Sequence, residues 1–273
     1  MSFCDGAERG VAMNMKYSLI ILLVTVGVTL VCCSKRSVSS RWLFPDKHAR
    51  ALAQAAVSGD TNAIDKAIAK GADINYTGRD EITPLGWVLA KGNKVGFEYL
   101  LKKGADPNVR FGKRDTLLTM AIDKDDPFFL EIALKYGADP NQQVKTSIGK
   151  ISLLYYTTTT LRADPDMVRA LVKYGAKANP SEDVVSTCAR GNSYENAYML
   201  LQAGLSFPTN RKRYKLIERL ENRGVHPDDP EYVWRDKVVT FLHERGIEVT
   251  PKEWKREDQP TIINIQTNLN VPR

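Results

Sequence analysis

The sequence predicts an all-α fold, a solenoid of about five to six helix-turn-helix units over residues 47–249, on three observations. First, "GADIN" at Gly71–Asn75 returns as "GADPN" at Gly104–Asn108 and Gly137–Asn141, then as "GAKAN" at Gly175–Asn179, in steps of 33, 33 and 38 residues. A reaction needs one site and spells its motif once, whereas a period in the low thirties marks units that each bury a face against the next. Second, the apolar residues between the glycines keep helical spacing, as at Val95, Phe97, Leu100 and Leu101. Third, 43% of the 273 residues are hydrophobic and 26% charged, a balance that supplies a core and excludes a wholly disordered chain.

Residues 1–46 stand outside this pattern. Lys16 precedes "YSLIILLVTVGVTLVCC", Tyr17–Cys33, which is 17 residues without a charge. A positive residue followed by an apolar run is the layout of a secretory signal, and the run is short for a membrane span, which needs about 20 residues. Its end, "LVCCS", resembles the lipobox of bacterial lipoproteins, with Leu30 and Val31 leading and Cys33 in the place of the lipidated residue. Cys32 departs from the Gly, Ala or Ser usual before the cleavage point. The resemblance implies a signal over residues 1–33, lipid joined through the Cys33 sulfur, sorting to the outer membrane through Ser34, and a polar tether over residues 34–46. The alternative is an uncleaved anchor helix, which Lys35 and Arg36 support because positive flanks tend to stay cytoplasmic. Four cysteines occur, and if Cys33 carries lipid, Cys188 is left as a small buried residue with no disulfide partner in the domain.

The repeats follow in order. Arg50–Asn75 carries a helix pair and the glycine ending but no Thr-Pro-Leu, as suits a first, capping unit. In "TPLGWVLAKGNKVGFEYLLKKGADPN", Thr83–Asn108, the threonine caps a helix that Pro84 can open, and Gly92–Asn93 turns into a second helix. Gly104 ends that helix in a left-handed conformation, and Asp106 and Asn108 suit the turn that follows. Thr116–Asn141 replaces the inter-helix turn by Asp125–Asp126–Pro127. Ser152–Asn179 is longer, and its five extra residues are expected in the inter-helix turn around Arg162–Pro165. Val184–Phe207 is a degenerate copy, and helices over 214–222 and 231–244 close the stack. The tail, residues 250–273, has no helical period, and "TIINIQTNLNV" within it alternates.

These units resemble the ankyrin repeat, whose consensus runs Thr-Pro-Leu-His, a glycine turn, a second helix with paired leucines, then Gly-Ala-Asp-x-Asn. The histidine is absent: its places hold Gly86, Thr119, Tyr155 and Val185. The resemblance implies a protein-binding surface built from the first helix of each unit and the projecting loops. Three residues after each proline position lie Gln54, Trp87, Met120, Tyr156 and Ser186, and Trp87, Met120 and Tyr156 form an apolar row suited to anchoring a partner. On the loops, Tyr76, Arg79, Arg110, Phe111 and Arg114 form an expected rim that steers an acidic partner.

Other classes of function find less support. The basic excess of 7 charges has no Lys/Arg stripe interleaved with aromatics, so no nucleic-acid partner is expected, and "RKRYK" at Arg211–Lys215 reads as a solvated helix start. There is no Gly-rich phosphate loop, nucleophile elbow or metal-ligand spacing, and His48, His226 and His243 are scattered. No enzyme activity, metal or cofactor is expected. Architecture and address together resemble the envelope immunity proteins that neutralise type VI secretion effectors, phospholipase toxins among them. That resemblance implies occlusion of a toxin at the periplasmic face. An envelope scaffold or adaptor with no toxin partner is the alternative.

Overall fold

The structure is a computed structural model, and it describes residues 39–111, 115–147, 149–159, 164–205 and 214–253. The chain divides into two compact units, residues 1–43 and 44–273. Of the first, the described part is one helical turn, α1 (Ser40–Leu43), within the span expected as tether. The second unit is a solenoid of six helix pairs among the described residues. They are α2 (Lys47–Ser58) with α3 (Thr61–Ala69), α4 (Pro84–Lys91) with α5 (Lys94–Lys102), and α6 (Leu117–Asp123) with α7 (Pro127–Lys135). After them come α8 (Leu153–Thr159) with α9 (Pro165–Lys173), α10 (Val184–Arg190) with α11 (Tyr194–Gln202), and α12 (Tyr214–Asn222) with α13 (Glu231–His243).

Helices this short do not hold themselves, so local chemistry must start and stop them. Asp46, Asp60, Thr83, Asn93, Thr116, Asp126, Asp164 and Asp183 each accept a hydrogen bond from a first-turn amide. Proline opens α4, α7 and α9, where its missing N–H is no loss. Thr119, in a place of the missing histidine, turns inward on its own helix: its Oγ1 accepts from Thr116 N at 2.8 Å and donates to Thr116 O at 2.9 Å.

Packing supplies the rest of the stability. Second helices lie on second helices from α3 through to α13, and first helices meet as α2 on α4, α4 on α6, α8 on α10 and α10 on α12. One core cluster runs from Leu52 to Val249, with Phe97 and Phe129 edge to face at 5.1 Å between ring centroids. α5 also approaches α2 through Gly96. A methyl group there would lie 1.9 Å from the carbonyl oxygen of Ala56, so only glycine fits. The Asn93 amide extends the contact by donating to Val57 O at 3.1 Å.

The connections between pairs explain the repeated pentapeptide. Gly104 has φ 94°, the left-handed turn expected after α5. The alanines of the motif, Ala72, Ala105, Ala138 and Ala176, are buried. Asp73, Asp106 and Asp139 each accept from the N–H of the asparagine two residues on, at 2.9, 2.8 and 2.9 Å. The asparagines then bridge units. Asn75, Asn108 and Asn141 Oδ1 accept from the amides of Asp106, Asp139 and Lys177 at 2.8, 2.8 and 2.9 Å. Asn108 and Asn141 also donate to the carbonyls of Gly137 and Gly175. The pentapeptide is therefore both a helix stop and a clamp on the next unit.

Two projecting loops form antiparallel hairpins, β1 (Arg110–Phe111) with β2 (Asp115–Thr116), and β3 (Gln143–Thr146) with β4 (Gly149–Ser152). The first loop instead makes a 3-10 turn at Arg79–Glu81. The hairpin corrects one expectation about the longest repeat. From Gly137 to Ser152 is 15 residues where Gly104 to Thr116 is 12, so three of the five extra residues lengthen the β3–β4 hairpin and two the inter-helix turn. The strand ladder places them there because each added backbone group in the hairpin finds a partner across it.

The tail begins as part of the stack. Lys252 N donates to Leu220 O at 2.9 Å, and the Lys252 carbonyl accepts from the buried Arg235 guanidinium at 2.7 Å. Residues 254–273, with the alternating segment, lie outside the described residues.

Candidate functional site

The first helices position the expected row. Trp87 sits in the middle of α4, 9% exposed, with the Lys91 ammonium 4.3 Å from the ring centroid. It is the most covered member of the apolar row. Met120 on α6 and Tyr156 on α8 are half-buried and pack against the core with their inner edges. The Tyr156 hydroxyl donates to Asp123 Oδ1 at 2.6 Å, which ties α8 to the end of α6. Gln54, one step earlier, is exposed, and Ser186, one step later, is buried.

The loop residues are distributed less evenly. Tyr76 is half-buried, its ring 6.4 Å from that of Phe44. Arg79 is exposed in the 3-10 turn and Arg110 is exposed at the start of β1. β1 packs against that 3-10 turn, so the two arginine-bearing loops are neighbours although 31 residues separate them in sequence. Phe111 belongs to β1, and its side chain lies outside the described residues. Arg114 and Cys33 lie outside them entirely.

The opposite, second-helix side carries a ladder of charge pairs. Lys103 meets Asp65 at 2.6 Å, Lys135 meets Glu98 at 3.5 Å, Lys173 meets Glu131 at 3.1 Å, and Arg169 meets Glu195 at 3.2 Å. The carboxylates at 65, 98 and 131 repeat with the period of the units, so each pair bridges consecutive second helices. Lys103 holds the Asp65 carboxyl below its ordinary range, with help from the Tyr99 hydroxyl. These pairs are exposed, where screening leaves an ion pair little net energy, so they align units more than they stabilise them. The period that marks Asp65, Glu98 and Glu131 is the signal by which this ladder could have been found.

Isolated ionisable groups behave as structural elements. Burial pushes the Cys188 thiol up to about 12, which keeps it protonated and unreactive. Burial likewise raises the Glu231 carboxyl, against the amides of Glu195 and Tyr194 that it accepts from. Among the described residues no group of three or more His, Cys, Asp or Glu is placed to hold a metal ion, and no helix is long and apolar enough to cross a membrane.

A family model described as ankyrin repeats (3 copies) matches residues 52–144. The matched stretch is the part of the chain where the pentapeptide and its asparagine clamp are intact. No curated protein matches the chain. Ankyrin repeats are a protein–protein interaction architecture, and the part of this chain that they form is a module for binding another protein.

Proposed function

We propose that the partner binds across the first helices and projecting loops, and that the protein is a lipid-anchored immunity protein of a bacterial envelope that occludes a secreted toxic effector. The observation that carries the surface assignment is the contact of β1 with the 3-10 turn, which brings the loops of Arg79 and Arg110 side by side. Two exposed guanidinium groups on adjacent loops favour an acidic partner surface, chiefly by speeding encounter. On the first helices Met120 and Tyr156 offer adaptable apolar area, and Trp87 adds to it where Lys91 moves aside. The second-helix side has its charges already matched across units, which leaves less to recruit a charged partner there.

The address rests on the sequence: the charge-free run before Cys33 and the lipobox-like "LVCCS". A phospholipase-type toxin fits an inhibitor that works by covering an entrance, because occlusion needs tight binding and no chemistry. An envelope scaffold without a toxin partner is the second reading, and the same surface would serve it.

The test is capture of bound protein from an envelope fraction by the wild-type chain beside Arg79→Glu/Arg110→Glu, with Trp87→Ala as a second arm. The expected result is one partner held by wild type and released by the double variant at an unchanged melting temperature. Equal recovery by all three chains removes this surface. Cells that express the captured toxin should survive only with the wild-type chain. Incorporation of labelled palmitate, lost in Cys33→Ser, checks the anchor.

A further inference from the structure

The row along the first helices changes character at its last described member. Trp87, Met120 and Tyr156 are followed by Ser186 on α10, a side chain too small to fill the same place. A cleft of ≈ 510 Å³ opens there between α10 and the α12 end, lined by Ser186, Arg190, Glu218, Arg219, Asn222 and Arg223. Ser186 is 3% exposed, and its Oγ is buried with no hydrogen-bond partner. Buried hydroxyls rarely go unmatched, so an unmade bond at the wall of a polar cleft marks a place for an occupant.

The charges around the cleft are not matched as those of the second-helix ladder are. Among the described residues, three guanidinium groups and one carboxylate give the lining a formal charge of +2. Among the described residues Arg190, Arg219 and Arg223 enter no ion pair, whereas the second helices pair theirs unit by unit. Arg219 is fixed in place, donating from Nε to Ala189 O at 3.0 Å and from Nη2 to Arg190 O at 2.7 Å. Burial first, and then the neighbouring Arg223, with a lesser contribution from Arg190, pull the Arg219 guanidinium below its ordinary range against the opposing effect of Tyr194. Three like charges are gathered here with one carboxylate, Glu218, in the same lining.

We propose that this cleft binds a small phosphorylated molecule, with the phosphoryl dianion among Arg190, Arg219 and Arg223 and a hydroxylated remainder against Asn222, Glu218 and Ser186. Planar guanidinium forks match phosphate oxygens in geometry as well as charge, and a dianion balances the lining. The volume exceeds that of a bare phosphate and falls in the range of sites for small organic ligands, roughly 300–1,000 Å³. Among the described residues every lining side chain carries a polar group, which gives the remainder of the ligand hydrogen-bonding partners there. The cleft continues the first-helix row past Tyr156, but the proposal does not rest on a partner binding there.

The test is calorimetric titration of the full-length chain in mild detergent with sodium phosphate and with glycerol 3-phosphate, against sodium chloride at matched ionic strength. Saturable heat is expected with at least one phosphate and absent with chloride. Arg190→Gln and Arg223→Gln, both at exposed positions, should each weaken binding about tenfold at an unchanged melting temperature. Tighter binding of glycerol 3-phosphate supports the organic remainder, and equal binding of the two phosphates overturns that part of the proposal. No saturable heat with either phosphate, or full binding retained by both variants, overturns the proposal.

Discussion

The pairs from α2 to α9 and the pairs from α10 to α13 share one stacking plan but are joined by different chemistry. In the first region the links are short and periodic: a left-handed glycine, a buried alanine, and an asparagine that clamps the next unit. In the second the left-handed glycine recurs at Gly204, but ionisable side chains make the links between units. Ser193 gives α11 no side-chain cap, and Glu231 reaches from α13 to accept from Tyr194 N at 2.5 Å and Glu195 N at 3.1 Å. Arg219 closes the carbonyl end of α10, and Arg235, 3% exposed, ties Leu220 O to Lys252 O. The fourth ending already shows the handover: Lys177 replaces the turn aspartate, and Glu182 holds Asn179 through both its backbone and side-chain nitrogens. Helix ends must be satisfied, but the fold does not dictate by which group. The backbone-scale links and the exposed ion pairs of the first region recur with the repeat, whereas the buried and half-buried charged links of the second each solve one junction.

That contrast can be broken first at Gly96. Gly96→Ala forces a methyl group against the Ala56 carbonyl and should cost about 3 kcal/mol or more, read as a lower denaturant midpoint at an unchanged slope. Next is the charged junction. Glu231→Ala strands two amides of α11 and should cost about 1–3 kcal/mol, while Glu231→Gln keeps the acceptor and should lose much less. The two Glu231 forms also differ with pH. Because the folded chain raises this carboxyl, it binds the proton more tightly than the unfolded chain. Wild-type stability relative to Glu231→Gln should therefore fall as pH rises from the ordinary glutamate range through the raised value, in melts across that window.

The periodic junction should respond more mildly. Asn108→Ala removes an acceptor shared by Asp139 N and Gln142 Nε2 and a donor to Gly137 O, all exposed, for about 1 kcal/mol. Amide exchange at Asp139 should speed up while exchange in α10–α13 stays constant. The smallest effect expected is none. Cys188 in the native chain should resist alkylation at mildly alkaline pH and react only on unfolding, which peptide mapping can assign to this thiol.

Much of the first region was legible from residues alone because its links are local. Thr83 before Pro84, Gly92 before Asn93, and Gly104 before Asp106 each set a backbone angle or a cap within a few positions. The last pair was legible too, with α12 at Tyr214–Asn222 and α13 at Glu231–His243 against helices expected at 214–222 and 231–244. The three residues given to the β3–β4 hairpin were not, since a ladder forms between segments and leaves no period-2 signal in so short a stretch. The clamp role of Asn75, Asn108 and Asn141 was hidden for a related reason: the motif displays the asparagine but not the amide 31 to 36 residues away that it accepts from. Of the candidate site, the register of Trp87, Met120 and Tyr156 could be counted, but how deeply each lies depends on its neighbours, such as Lys91 over Trp87.

By itself the sequence determined the stack of helix pairs, its period and its helix ends, because capping, glycine angles and apolar spacing act within one unit. Only the tertiary structure decided which side chains bridge units, that the loops of Arg79 and Arg110 are neighbours, and that Arg190, Arg219 and Arg223 surround one cleft. Those are relations between helices that the chain brings together only on stacking, when burial and charge are set by neighbours distant in sequence.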